Sequence, residues 1–78
     1  MARLRLFGPA REAAGTGSVE MSGESVGRVL LAAELRFGQS FGRVVAVSSI
    51  WLNGVAAAPD ARVNDDDEVA VIPPVSGG

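Results

Sequence analysis

The residues with most chemical leverage in this sequence are its last eight, Val71-Ile72-Pro73-Pro74-Val75-Ser76-Gly77-Gly78. An apolar strand runs into two prolines, then a short polar residue, two glycines and a carboxylate. Pro73 and Pro74 fix φ and lack a backbone donor, so they cannot extend a sheet ladder and steer the chain out as an extended stalk. Gly77 and Gly78 have no Cβ and fit a channel where any side chain would clash. Such a terminus can enter another protein's active site and leave its carboxylate there to react. Two terminal glycines alone read more plainly as a frayed end. The whole run, with its strand and prolines, is what points to chemistry.

The rest of the chain offers little chemistry of its own. It contains no cysteine, histidine, lysine or tyrosine, which removes nearly all the usual general bases and covalent nucleophiles. The serines have no histidine to activate them. Asn64-Asp65-Asp66-Asp67-Glu68 is densely acidic, but a calcium loop needs more ligands at set spacing and a glycine for its turn. It reads as a solvated turn. No metal site, no cofactor bound by this chain and no catalysis by the chain alone are expected.

The net charge is −2 and all seven positive charges are arginine. A basic stripe interleaved with aromatics is missing, which excludes the nucleic-acid binders. The absence of lysine fits a GC-rich genome, and it also leaves no side-chain amine for the chain's own activated terminus to acylate. No apolar run approaches the ~18 residues of a membrane span. Met1 leads straight into an alternating strand and not a signal peptide. Cysteine-free composition suits a reducing compartment, so a cytoplasmic protein without membrane contact is expected. The length allows one domain, 1–78, with 73–78 as its tail; a chain this short buries only about 60% of its unfolded surface.

The elements that must position the tail follow from periodicity. Ala2 to Phe7 alternates, with Leu4 and Leu6 on one side and Arg3, Arg5 and Phe7 on the other, as in a half-buried strand. Gly8-Pro9 opens a short helix through Ala14, closed by Gly15. Val19 and Met21 alternate in a second, antiparallel strand. Ser25 is placed to cap a helix whose stripe is Val26, Val29, Leu30, Ala33 and Phe37, with Gly38 just past its end. Gln39 to Ala46 reads either as a second short helix or as a cap on the core. Val47 to Leu52 reads as a strand with Trp51 outward, and Asn53-Gly54 as a type I′ hairpin turn. Val55 to Ala58 returns as a short strand that Pro59 stops, and Glu68 to Ile72 forms the last. Alternation alone gives a small α+β domain.

The stretch Leu4-Arg5-Leu6-Phe7-Gly8-Pro9-Ala10-Arg11-Glu12-Ala13-Ala14-Gly15 and the ending Asp67-Glu68-Val69-Ala70-Val71-Ile72-Pro73-Pro74-Val75-Ser76-Gly77-Gly78 resemble the small subunits of molybdopterin synthase, among the ubiquitin-like sulfur carriers. Leu52-Asn53-Gly54 matches as well, so the likeness covers the whole length. It implies a β-grasp fold: a mixed sheet of about five strands, one main helix, the last strand in mid-sheet beside the first, and a flexible Gly-Gly tail. One departure is Asp66, where that family has glycine in an Asp-Gly-Asp turn; Asp can occupy the left-handed region at a small cost.

The resemblance also implies a mechanism. An E1-like adenylating and sulfurating enzyme, using ATP and magnesium, joins Gly78 to AMP; a persulfide then leaves a thiocarboxylate on Gly78, with Gly77 giving access. The large subunit, with which the small one forms a heterotetramer, takes in the tail, and sulfur passes to a cyclic pyranopterin phosphate in molybdenum cofactor biosynthesis. The chain would be a non-catalytic sulfur-donor subunit of a transferase complex. A bare Gly-Gly end fits any carrier, so sulfur transfer for thiamine, cysteine or tRNA thiolation, a modifier joined to target lysines, and an adaptor that transfers nothing are the alternatives.

Strand parity gives a second clue. Phe7, Trp51, Ala70 and Ile72 take the parity opposite to the core set, so on a sheet covered on one face they lie exposed together. An apolar patch flanked by Arg3 and Arg5 is a docking surface more often than an accident. Trp and Arg are enriched among interface hot spots, which makes Phe7, Arg11, Trp51 and Ile72, with Pro73, Pro74 and Val75 of the stalk, the partner-binding candidates. Trp51 folding over its own sheet edge is the plainer alternative.

Overall fold

The computed structural model describes residues 1–74. β1 (Ala2–Leu6) buries Ala2, Leu4 and Leu6 and turns Arg3 and Arg5 outward. Phe7 leaves the strand with extended backbone and becomes the N-cap residue of α1 (Gly8–Ala14), which Gly15 closes by donating to the Arg11 carbonyl. β2 (Ser18–Met21) returns antiparallel to β1.

α2 (Val26–Phe37) is the main helix, and its start is fully satisfied. Ser25 Oγ accepts from the Arg28 N–H at 3.2 Å. The Val26 and Gly27 N–H groups donate to the Ala61 and Pro59 carbonyls at 3.0 and 2.8 Å. The loop after the hairpin is thereby tied over the N-terminal turn, whose donors would otherwise be unpaired. Gly38, at φ 100°, ends α2 by donating to the Glu34 carbonyl at 2.8 Å and opens α3 (Gln39–Ala46). That φ lies where a side chain is strained, so the sharp joint between the two helices requires glycine.

β3 (Ser49–Leu52) and β4 (Val55–Ala56) form the hairpin, with Asn53 at φ 51° and Gly54 at φ 82°, the type I′ signs. β5 (Glu68–Ile72) completes a five-stranded sheet in the order β2-β1-β5-β3-β4. β5 is parallel to β1 and antiparallel to β3. Leu4, Leu6, Val69 and Val71 of the sheet join Ala10, Val26, Val29, Ala33 and Phe41 of the helices in one core. Phe41 is the largest fully buried side chain, its ring 5.2 Å from that of Phe37. One sheet face is covered, and the architecture is the expected β-grasp.

Four local expectations are corrected. Gln39 to Ala46 takes the helical one of its two expected forms, and this moves the start of the following strand from Val47 to Ser49. Val47 and Ser48 instead donate to the Val44 and Val45 carbonyls at 3.2 and 3.1 Å, finishing the helix. The return strand stops at Ala56 and not Ala58, because the Ala58 carbonyl accepts from Ala61 at 3.0 Å in a turn that contains Pro59. Phe7 keeps the outward parity but lies just outside its strand. Asp66 does not take the left-handed region: among the described non-glycine residues only Asn53 has positive φ. The turn is closed by the Asp67 N–H on the Asn64 carbonyl at 3.0 Å without glycine, and Asp66 carries no strain.

Candidate functional site

β5 is paired on both sides, with Val69 and Val71 fully buried, so the direction in which it leaves the sheet is set by two ladders. Its last residue, Ile72, pairs with Ser49 and is 40% exposed. Pro73 is half-buried and Pro74 exposed; neither has an N–H to offer, and the ladder ends there. Val75, Gly77 and Gly78 lie outside the described residues.

The start of β5 is held as firmly. Asp67 Oδ2 accepts from the Asn64 N–H at 2.7 Å and Oδ1 from Asn53 Nδ2 at 2.9 Å. The Glu68 N–H donates to Asn53 Oδ1 at 2.9 Å, and the Asn53 N–H to the Glu68 carbonyl at 2.8 Å. One asparagine and one aspartate thus lock the hairpin turn onto the turn before β5. The backbone donor from Asn64, and then the Asn53 amide, hold the Asp67 carboxyl below its ordinary value. Asp65 pairs with the Met1 amine at 3.1 Å. The acidic run therefore has structural work for Asp65 and Asp67, and Glu68 adds an ion pair with Arg5.

On the open sheet face, register brings the candidates together. Arg5 and Trp51 both pair with Ala70, so the small residue forms a dip between a guanidinium and a half-buried indole. Arg5 lies 5.6 Å over the ring of Phe7 and 3.6 Å from Glu68, and Arg3 lies 4.0 Å from Glu20. Phe7 and Ile72 are exposed beside the stalk. Phe7, Trp51 and Ile72 therefore share one surface. Arg11 does not join them. Its side chain lies against Gly17, where an added Cβ would meet Nε at 3.3 Å. Gly17 borders β1 on the β2 side, whereas Trp51 lies on the other side of β5.

A second surface at the stalk escaped sequence reasoning. Pro9 of α1, Arg43 and Val44 of α3, Val47 at its end, and Pro73 and Pro74 line a groove of about 300 Å³. The signal was present in Val44 and Val47, but only once Gln39 to Ala46 is known to be helical do they fall beside the prolines.

A helix-backed mixed sheet of this order, with its last strand in the middle and one face open, defines a β-grasp, ubiquitin-like protein. More particularly, the chain belongs to the ThiS family, which matches residues 4–78. No curated protein matches it by sequence. It is similar to the small archaeal modifier protein 1 of Methanosarcina acetivorans, with 29% identity and a TM-score of 0.88 over 99% of this chain and 95% of that one. It is also similar to a putative molybdopterin converting factor subunit 1 from Pyrococcus furiosus, at 25% identity and TM-score 0.78 over 95% and 97% of the chains. The same fold occurs in the complex of subunits 1 and 2 of molybdopterin-converting factor from Helicobacter pylori, at 23% identity and TM-score 0.69 over 99% and 97%. Among the described residues no helix is long and apolar enough to cross a membrane.

Proposed function

We propose that this chain is the sulfur-carrier subunit of a molybdopterin synthase, with Gly78 as the reacting residue. The observation that carries this reading is β5, clamped between two strands, with its ladder ending at Pro73-Pro74. The Pro-Pro-Val-Ser-Gly-Gly ending and the Pyrococcus furiosus neighbour support the molybdenum-cofactor branch.

The chemistry belongs to the carboxylate. A Gly78 oxygen attacks the α-phosphorus of ATP, held with magnesium by an E1-like enzyme, and pyrophosphate leaves. A persulfide sulfur attacks the acyl carbon and AMP leaves. A second thiol of the sulfurating enzyme then cleaves the resulting S–S bond, leaving a thiocarboxylate and a disulfide. The large subunit takes in the tail and sulfur passes to the pyranopterin. Gly77 keeps the approach free of side chains, and Phe7, Trp51 and Ile72 with the stalk supply the docking surface. Two sulfurs make one dithiolene, so carriers must exchange, and docking must be reversible.

The likeness to a small archaeal modifier favours a second reading, in which the activated Gly78 is joined to target lysines. Both readings share the first step. Intact mass after incubation with the activating enzyme, ATP and a sulfur donor tests the first: one oxygen of the terminus is replaced by sulfur, and addition of large subunit and pterin precursor yields molybdopterin. High-mass conjugates in cells with no thiocarboxylate would favour the modifier.

A further inference from the structure

The stalk has two sides, and the open sheet face accounts for only one. On the other side lies the groove between α1 and α3. Apart from Arg43, every side chain lining it is apolar, and Val47 at its edge is 67% exposed. Arg43 forms no ion pair among the described residues. An exposed valine and a single cation beside the one segment that must be handled by other proteins is a different situation from scattered surface apolar residues.

We propose that this groove receives a loop of the adenylating partner, carrying a bulky apolar side chain next to a carboxylate, so that the stalk is gripped from both sides. The inference rests on the carrier reading above. The apolar side chain would fill the space between Pro9, Val47 and the two prolines, and the carboxylate would meet Arg43. Adenylation explains the need. The Gly78 oxygen must lie in line with the bond to departing pyrophosphate, and a misplacement of about 1 Å costs such a step on the order of a hundredfold. The prolines hold the stalk near one backbone shape, so a grip at Pro73 and Pro74 carries further along the chain than it would through flexible residues. Contact with the sheet face alone would leave the stalk free to swing toward the helices.

The test is ATP–pyrophosphate exchange by the purified adenylating enzyme, with the carrier concentration varied. Val47→Glu places a charge in the apolar groove, and Arg43→Glu inverts the recognised one. Each should raise KM for the carrier about tenfold or more, with the melting temperature of the carrier unchanged. Leu35→Glu is the control: Leu35 is 81% exposed on the outer side of α2, near Met1 and Asp65 at the opposite end of the molecule from the stalk. It should stay within about twofold of wild type, as surface substitutions away from contacts do. Exchange with Val47→Glu and Arg43→Glu equal to wild type, or an equal loss with Leu35→Glu, would overturn the groove while leaving the carrier reading intact. If Val47→Glu lowers the melting temperature, the exposed Arg43→Glu decides alone. Wild-type carrier that supports no exchange removes the carrier reading and this inference with it.

Discussion

Asp67 joins two turns through one carboxylate, and its protonation therefore belongs to the stability of the fold. Its pKa in the folded chain is lowered from 3.8 by the Asn64 and Asn53 donors. The unfolded chain accordingly takes up this proton at higher pH than the folded one. The contribution is fully present above the ordinary carboxylate value and is lost as pH falls through the lowered one. Asp67→Asn should be less stable than wild type at neutral pH, with the gap narrowing as denaturation curves are taken below pH 3.8. A gap constant with pH would mean that charge at Asp67 does nothing. Trp51 is the residue on which the docking surface is most exposed to test. Trp51→Ala should weaken binding to the proposed large subunit about tenfold or more while the circular dichroism spectrum stays native; unchanged affinity in a titration removes it from the surface. At this scale the sequence was a good guide where one residue sets its own backbone, as Asn53-Gly54 does. It misled at Asp66, because a turn closed by a backbone hydrogen bond with negative φ suits aspartate as well as any residue.

The helices show where pattern ends and packing begins. α2 was readable because its stripe is long and Ser25 and Gly38 mark its ends. α3 was readable only as one of two alternatives, since Val44, Val45 and Val47 favour strands by propensity and tertiary contacts decide for the helix. Phe41 buries its ring in the core, and α1 packs along α3. Phe41→Ala should cost about 3–5 kcal/mol, a large part of the roughly 4–12 kcal/mol available to a domain of this size. Urea denaturation checks it, and a loss under about 1 kcal/mol would mean the core refills the space. Gly27 shows packing overruling preference. Alanine there should gain up to about 1 kcal/mol in helix propensity, but its Cβ would lie 3.1 Å from the Pro59 carbonyl. Gly27→Ala is therefore expected to bring no gain in stability, and a full gain would show that the loop yields without cost.

At the scale of the whole molecule, the carrier reading assigns the chemistry to Gly77 and Gly78 and none to the folded body. Deleting Gly77 and Gly78 should leave the melting temperature unchanged and abolish thiocarboxylate formation, read by intact mass; a chain that is still sulfurated would place the reacting group elsewhere. The groove beside the stalk was invisible in the sequence for a plain reason: Pro9, Val47 and Pro73 are brought together by topology, and no local pattern connects them. That topology also bears on biosynthesis. β5, the middle strand of the sheet, is the last of the five strands to leave the ribosome. Until it does, β1–β2 and β3–β4 are two hairpins with no shared ladder and unpaired edges. A nascent chain cut short before Ile72 thus lacks the strand that joins the two hairpins, and its unpaired edges are open to proteases.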